Sequence, residues 1–284
     1  MTEASGRLYV VGTPIGNLGD LTLRAAEILG SVDAVICEDT RRTGKLLAHI
    51  GPRGGRATRP ELLVANQHTE VPRIAEILDR LGRGQALALV TDAGMPTISD
   101  PGAAVVAAAV AQGYEPEVVP GPTAVSAALA LSGLPTERFV FEGFLPRKGR
   151  DRDVRLAAVG AETRTVVLYE APHRLQRTLA DLAAVCGGDR PVAVARELTK
   201  LHEEVLRTTL VDAGRHFGRT EPRGEFVLVV AGRPTDRTTP TDTELLAALR
   251  DGLDRGLSKR DAVAEVTGAT GEPKRRVYDL ATTL

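Results

Sequence analysis

LALVTDAGMPTISDPGAAVVAAAVA, residues 87–111, is the stretch on which the fold turns. Leu87–Val90 is a short, continuously apolar run of the kind that forms a strand buried on both faces of a parallel sheet. Ala103–Ala111 is an apolar helical pattern. Between them Thr91 to Gly102 spans twelve residues of small, Pro- and Gly-punctuated loop, where a plain connection needs about two to six. The strand–loop–helix unit recurs outward from there. Upstream, strand-like Leu8–Val11, Asp33–Cys37 and Leu62–Ala65 alternate with helical spacing at Leu21–Leu29, Thr40–Ile50 and Ile74–Leu81. Downstream, Glu117–Val119 closes this half at Pro120-Gly121-Pro122. Strands alternating with helices predict an α/β protein with a mostly parallel sheet covered on both faces.

The second half has a different rhythm. After a helix over Thr123–Leu131 come strand candidates at Phe139–Phe144, Thr165–Tyr169, Val192–Ala195, Val205–Leu210 and Phe226–Val230, with helices near Val154–Val159 and Leu175–Val185. Several of these strands lack room for a helical crossover, so some pairs are antiparallel. The expected organisation is an α/β domain over residues 1–119 and a second over 120–234, joined at the Pro-Gly-Pro hinge. The polar, Pro-bounded run Arg233–Pro240 is a linker to three short helices over 240–284 that suit a helix-turn-helix.

Composition narrows the function classes. The 284 residues are 43% hydrophobic and 26% charged, which excludes wholesale disorder. Lys plus Arg number 36 against 37 acidic residues, so a nucleic-acid surface must be a local patch. Aromatics make up 3%, too few for base stacking as the main grip on a single strand. Two cysteines, Cys37 and Cys186, make no disulfide framework or cysteine zinc site and fit a reducing compartment. The opening MTEASGRLYV lacks a basic start with a long apolar run, and no stretch is long enough to span a membrane. The expected setting is the cytoplasm. No His, Asp or Glu cluster has metal-ligand spacing, so no metal is expected.

Open α/β sheets bind ligands beyond the carboxyl ends of their strands. After the first strand, Gly12 to Asp20 is glycine-rich but matches neither G-x-G-x-x-G nor a Walker loop, and Pro14 removes a backbone donor. After the second, Glu38-Asp39-Thr40-Arg41-Arg42 is either a polar cleft edge or an ion-paired helix start with Thr40 as its cap. Asn66 to Glu70, with His68, is a further polar strand end. The 91–102 loop brings backbone carbonyls and carboxylates together, which suits a cationic ligand as N–H groups suit a phosphate.

These segments carry a resemblance. VGTPIGNLGDLT, CEDTRRT, VTDAGMPTISDPG, PGPTAVSAAL, FEGFLPRK, LYEAPHRL, RELTKLHEE and GEFVLVV, in this order and spacing, resemble the tetrapyrrole methylase family of S-adenosylmethionine-dependent methyltransferases. Within it the chain is similar to the branch that methylates a cytidine ribose in the 16S RNA of the small ribosomal subunit, and the tail resembles that branch's helix-turn-helix domain. The resemblance implies two α/β domains with S-adenosylmethionine in the cleft between them, in a homodimer. It assigns to the cofactor Pro14, Ala93, Gly94, Met95, Ile98, Thr123, Ala124, Tyr169, Glu170 and Leu198, with Asp92 beside them. Tetrapyrrole-modifying members usually read Gly-Asp-Pro where this chain has Gly94-Met95-Pro96, a departure that favours RNA over a corrin ring.

A base that accepts the ribose hydroxyl proton is sought in the polar strand ends: Asp39, His68, Lys200, Glu203 and Glu204, with Glu38, Asp39 and Lys200 preferred as near-site residues. RNA phosphates would meet basic loops, namely Arg53 and Arg56, then Arg147, Lys148 and Arg150 in a run that continues to Arg152 and Arg155, and Lys274, Arg275 and Arg276 at the last helix. The alternatives are a methyltransferase of the same fold acting on a tetrapyrrole, and a non-catalytic RNA-binding assembly factor.

Overall fold

A computed structural model describes residues 6–51, 59–66, 69–234 and 240–284. Arg53, Arg56 and His68 therefore lie outside the described residues, as does most of the 233–240 run. The chain forms two compact units, one running through Arg233 and one from Pro234 onward.

The first sheet holds β1 (Arg7–Val11), β2 (Ala34–Cys37), β3 (Glu61–Val64), β4 (Ala86–Leu89) and β5 (Glu117–Val119), in the order β3-β2-β4-β1-β5. All its pairings are parallel. Alternate residues feed opposite cores, because side chains on a strand point to opposite faces. Val35, Cys37, Ala88 and Val90 pack with helices α1 (Leu23–Ser31) and α2 (Thr40–Ile50). Ala34, Ile36, Leu87 and Leu89 pack with α3 (Glu70–Gly82) and α4 (Ala103–Ala111). Burial on both faces is what makes these strands read as continuous apolar runs.

The second sheet holds β6 (Phe139–Phe144), β7 (Thr165–Glu170), β8 (Pro191–Arg196), β9 (Glu204–Thr209) and β10 (Phe226–Val230), ordered β6-β7-β10-β8-β9. β6 and β7 are parallel, and the other neighbours are antiparallel, as the short connections require. One face packs on α6 (Arg150–Ala161), α7 (Pro172–Cys186) and α8 (Leu210–Arg219). The other packs on α5 (Ala124–Ser132), whose Val125, Ala128 and Leu129 meet Val167, Ala193, Ala195 and Val229 together with Ile15 and Leu198. Ile15 comes from the loop after β1, so this last core joins the two sheets.

Helix α8 is absent from the sequence reading, which carries the preceding strand to Leu210 and leaves 211–219 unassigned. Thr209 caps the helix by accepting from the Asp212 N–H, and Leu210, Ala213 and Phe217 form its buried stripe. Gly214 and Gly218 weaken the local helix signal by about 1 kcal/mol each relative to Ala, and packing restores it.

The tail has α9 (Asp242–Asp254), α10 (Lys259–Thr270) and α11 (Lys274–Ala281) around Leu245, Leu249, Val263, Val266 and Val277. Thr241 and Glu244 form a full capping box, and Ser258 caps α10. Gly271, at φ +71°, ends α10 in the left-handed conformation that glycine favours, and Pro273 precedes α11. Among the described residues no helix is long and apolar enough to cross a membrane.

Candidate active site

Backbone contact at the joint between the sheets sets up a cleft. The Thr13 N–H donates to the Gly94 carbonyl at 2.9 Å, and the Gly94 N–H returns to Thr13 at 3.1 Å. A Cβ on Gly12 would stand 2.6 Å from the Gly121 nitrogen, so the β1 end and the Pro-Gly-Pro segment touch through bare backbone. The cavity above this contact measures about 280 Å³. That is near the lower end of the range of about 300–1,000 Å³ for small-molecule sites.

The 91–102 loop lines it with Ala93, Gly94, Met95, Ile98, Ser99 and Asp100. Thr123 and Ala124 come from the start of α5, Tyr169 and Glu170 from the end of β7, and Leu198 from the loop after β8. Ile15, Phe144, Glu225 and Val227 complete much of the wall. Of the residues that the resemblance assigns to the cofactor, Pro14 and Asp92 do not line the cleft; each adjoins a residue that does. The sequence reading passes over Asp100, Glu225 and Phe144 as site residues, although all three stand inside segments it singles out.

Backbone strain gathers at the same place. Thr97 and Ser99 in the 91–102 loop, and Glu197 and Thr199 in the loop after β8, are the non-glycine residues with positive φ among those described. Such conformations cost about 1–3 kcal/mol each and persist where the surroundings enforce them. One enforcing contact reaches across from α3. Glu70 Oε1 accepts from the N–H groups of Gly102, Ala104 and Val105 at 3.1, 2.9 and 3.2 Å, capping α4, whose own N-cap Gly102 has no side chain.

Glu170 is among the residues that line the cleft, but its side chain is wholly buried and bonded within the protein. Its oxygens accept from Thr178 Oγ1 at 2.6 Å and the Ala171 N–H at 2.9 Å, and Arg174 Nε lies 3.2 Å away. Thr178 also accepts from Arg152, which is 2% exposed and further held by Asp181 and the Pro146 carbonyl. Arg152 is thus an interior anchor rather than a member of the basic surface run. Arg155 is paired with Glu142. Arg147, Lys148 and Arg150 are exposed. The phenol of Tyr169 bonds to the Val125 backbone and its ring packs edge-on to Phe141 with centroids 5.0 Å apart; burial and the nearby Asp100 push it up to about 12.

Asp39, Glu38 and Lys200 do not line the cleft. Asp39 caps α2 through the Arg41 N–H at 2.8 Å; of the two sequence readings of this cluster, the ion-paired helix start had Thr40 as the cap. The Arg41 guanidinium holds the Asp39 carboxyl well below the usual carboxylate range. Glu38 accepts from the Thr91 hydroxyl and, at 3.4 Å, from the Asp92 N–H. Lys200 bridges Glu197 and Glu225 at 3.0 and 2.9 Å and packs against Gly16. Glu203 accepts from the Thr199 N–H, and Glu204 pairs with Arg196 on the sheet edge. Asp92 is drawn to Arg42 at 3.4 Å, its other oxygen is buried without a hydrogen-bond partner, and burial beside Glu38 raises its carboxyl. Asp100 rises to about 6, chiefly by burial, then by Glu38 and with smaller effects of Asp92 and Glu225, while the Thr91 hydroxyl opposes the shift.

In the tail Lys274 and Arg275 are exposed at the start of α11. Arg276 instead ties the tail together, bonding Asp242 at 2.7 Å, Glu272 at 2.7 Å and the Pro240 carbonyl at 3.0 Å. Among the described residues no group of three His, Cys, Asp or Glu is placed to hold a metal.

Comparison with known proteins agrees with this architecture. Residues 7–214 match the model of the Tetrapyrrole (Corrin/Porphyrin) Methylases, and residues 239–284 match the RsmI C-terminal HTH domain. A Synechocystis protein named ribosomal RNA small subunit methyltransferase I is 47% identical over 97% of both chains. A Mycobacterium tuberculosis protein of the same name is 40% identical over 97% of this chain and 94% of its own. A Thermotoga maritima protein of that name is 46% identical, but 99% of it covers 80% of this chain. Among solved structures, a uroporphyrin-III C-methyl transferase from Thermus thermophilus, complexed with S-adenyl homocysteine, aligns at TM-score 0.57 and 22% identity over 80% of this chain and 97% of its own. A diphthine synthase aligns at 0.62 and 14% over 80% and 90%. Those identities speak to the fold alone. With two sheets, the cleft between them and full-length relatives in agreement, the chain belongs to the tetrapyrrole methylase family and carries the RsmI-type C-terminal helix-turn-helix domain.

Proposed function

We propose that this chain is an S-adenosylmethionine-dependent methyltransferase that methylates the ribose 2′-hydroxyl of a cytidine in the 16S RNA of the small ribosomal subunit, in its decoding region. The observation that carries the reading is identity of 47% over 97% of both chains to a protein named for small-subunit ribosomal RNA methylation.

The cleft suits the donor. Ile15, Met95, Ile98, Leu198 and Val227 offer apolar walls for a purine and a thioether, Gly94 and Ala93 bring bare backbone close, and Asp100 supplies negative charge. Bound S-adenosylmethionine supplies a methyl carbon made electrophilic by its sulfonium. The residues at 91–102, 123–124, 169–170 and 198 hold and orient it, with Pro14 and Asp92 shaping the loops that carry Ile15 and Ala93. The halves 1–119 and 120–234 thus act as two domains around one site. Holding a ribose oxygen in line behind the methyl, within about 3 to 3.5 Å, is the main catalytic task. Glu38 and Lys200 act on the cleft through the Thr91 loop and Glu225, and Asp39 serves as the cap of α2.

The exposed Arg147, Lys148, Arg150, Lys274 and Arg275 are the RNA contacts, the protein works as a homodimer, and it acts in the cytoplasm where small subunits assemble. A tetrapyrrole substrate is disfavoured by the tail and by Met95 in place of an acid. The test is incubation of the full chain with methyl-labelled donor and three acceptors: undermethylated small subunits, naked 16S RNA and a porphyrinogen. Label in a cytidine ribose is expected. Label in the porphyrinogen, or no transfer to any acceptor, refutes the reading.

A further inference from the structure

We infer that Asp100 is the counter-charge for the donor's positively charged sulfur, and that it sets the preference of the cleft for the charged methyl donor over its uncharged demethylated product. The inference rests on the cleft holding S-adenosylmethionine, as proposed above, and adds a specificity-determining residue to it.

Three carboxylates belong to the cleft wall, and two of them are spoken for. Glu170 is turned into the protein toward Arg174 and Thr178. Glu225 is paired with Lys200 at 2.9 Å. Asp100 has no ion pair among the described residues, and the nearby Thr91 hydroxyl gives its one proton to Glu38. The groups around it come from every neighbouring element. Glu38 follows β2, Asp92 shares its loop, Tyr169 lies in β7 and Glu225 precedes β10. The cations that pair with its acidic neighbours are committed to them, Arg42 to Asp92 and Lys200 to Glu225. This corner therefore carries unbalanced negative charge in a half-buried setting; burial first, and then the charge of Glu38, raises the Asp100 carboxyl to about 6. The loop cannot easily swing the carboxylate out to water, because Glu70 pins its far end at Gly102.

A cation seated in the cleft relieves that imbalance, and a neutral thioether does not. The donor and its product share the adenosine, the amino and the carboxylate groups and differ by the methyl and the charge on sulfur. Asp100 therefore shows itself in the ratio of the two affinities. A role in gripping the shared amino group would alter both affinities equally.

The test is titration calorimetry on the full chain with S-adenosylmethionine and with S-adenosylhomocysteine, at pH 8 and pH 5, for the unaltered protein and Asp100→Asn. At pH 8 the Asp100→Asn change lowers the donor-to-product affinity ratio about tenfold, with product affinity changed less than about threefold. Lowering the pH to 5 lowers the ratio in the unaltered protein. The ratio stays flat in the variant, which separates Asp100 from Glu38, Asp92 and Glu225. An unchanged ratio in the variant, or equal loss of both ligands, overturns the inference while leaving the cofactor assignment intact. If the variant fails to fold, the unaltered protein decides by itself: a ratio that does not fall between pH 8 and pH 5 overturns it. Failure of the unaltered protein to bind either ligand overturns the functional reading from which the inference starts.

Discussion

Replacing Glu70 with Ala tests whether the cleft loop is held from outside the cleft. One carboxylate oxygen receives the Gly102, Ala104 and Val105 N–H groups, and α4 has no cap of its own. A lost helix cap costs about 0.5–2 kcal/mol, and a hydrogen bond to a charged group is worth about 1.5–3 kcal/mol. The site is partly buried, so water recovers part of the three bonds, and a net loss of about 2–3 kcal/mol is expected. In a chain of this size each kcal/mol moves the melting temperature by about 2–4 °C, which places the drop at about 4–12 °C. Glu70→Gln keeps an acceptor oxygen at the same reach and gives up mainly the charge at the helix N-terminus, about 0.3–1 kcal/mol. Scanning calorimetry of the larger unit's transition reads both. Product affinity, measured at a temperature where each variant is folded, should fall severalfold for Ala and recover in Gln, because the loop from Thr91 to Gly102 loses its anchor only in Ala. Equal melting of the two variants, or an Ala variant within about 1 °C of the parent, would show that the trans cap does not hold α4.

Other perturbations address the remaining parts of the argument. Arg174→Ala leaves the wholly buried Glu170 side chain without its cation, and removal of one partner from a buried pair costs about 3–5 kcal/mol; denaturant unfolding should show this, and a loss under about 1 kcal/mol would refute the buried network. Asp100 is about 6 in the folded chain against an ordinary 3.8, so the unfolded chain releases this proton first and stability falls as pH rises from about 4 to beyond 6. That difference corresponds to about 3 kcal/mol, reduced to about 1–2 kcal/mol by its partial exposure. Asp100→Asn should accordingly melt higher than the parent at pH 8 and alike at pH 4, and the same gain at both pH values would sink the assignment. Gly121→Ala places a methyl 2.9 Å from Gly12 backbone atoms and should melt at least several degrees lower; a neutral result would mean that the hinge segments do not touch. For RNA, Lys274→Ala with Arg275→Ala should reduce the salt dependence of small-subunit binding by about two units of slope with the tail still folded, whereas Arg276→Ala should loosen the tail; an unaltered slope in the double variant removes α11 from the interface.

Legibility in the sequence followed burial. β2 and β10 are buried along their length and β4 at all but Ala86, so the buried positions had to be apolar, and the runs stand out without any partner in view. The tail helices announce themselves through Thr241, Ser258, Gly271 and Pro273, because caps act within a few residues of the chain. Helix α8 was missed because its two glycines weaken the local pattern and its stability comes from Leu210, Ala213 and Phe217 packing on the second sheet. The cleft loop was recognisable from its length and composition, yet Asp100 was not distinguishable from its neighbours. Its character depends on burial in the folded chain and on Glu38 and Glu225, which reach it from two other segments.

Local chemistry and burial pattern therefore decided from the sequence alone that the chain is α/β, that a glycine-punctuated loop follows β4, and that a helical tail closes it. Order and spacing of short motifs pointed to the family. Only the tertiary structure decided which polar residues face the cleft: it turned the Glu170 carboxylate inward, set Arg152 in the interior, gave Asp39 to a helix cap and left Asp100 facing the ligand space without a cation. The reason is physical. The state of a charge is set by burial and by the charges near it in space, and those neighbours lie scores of residues away along the chain.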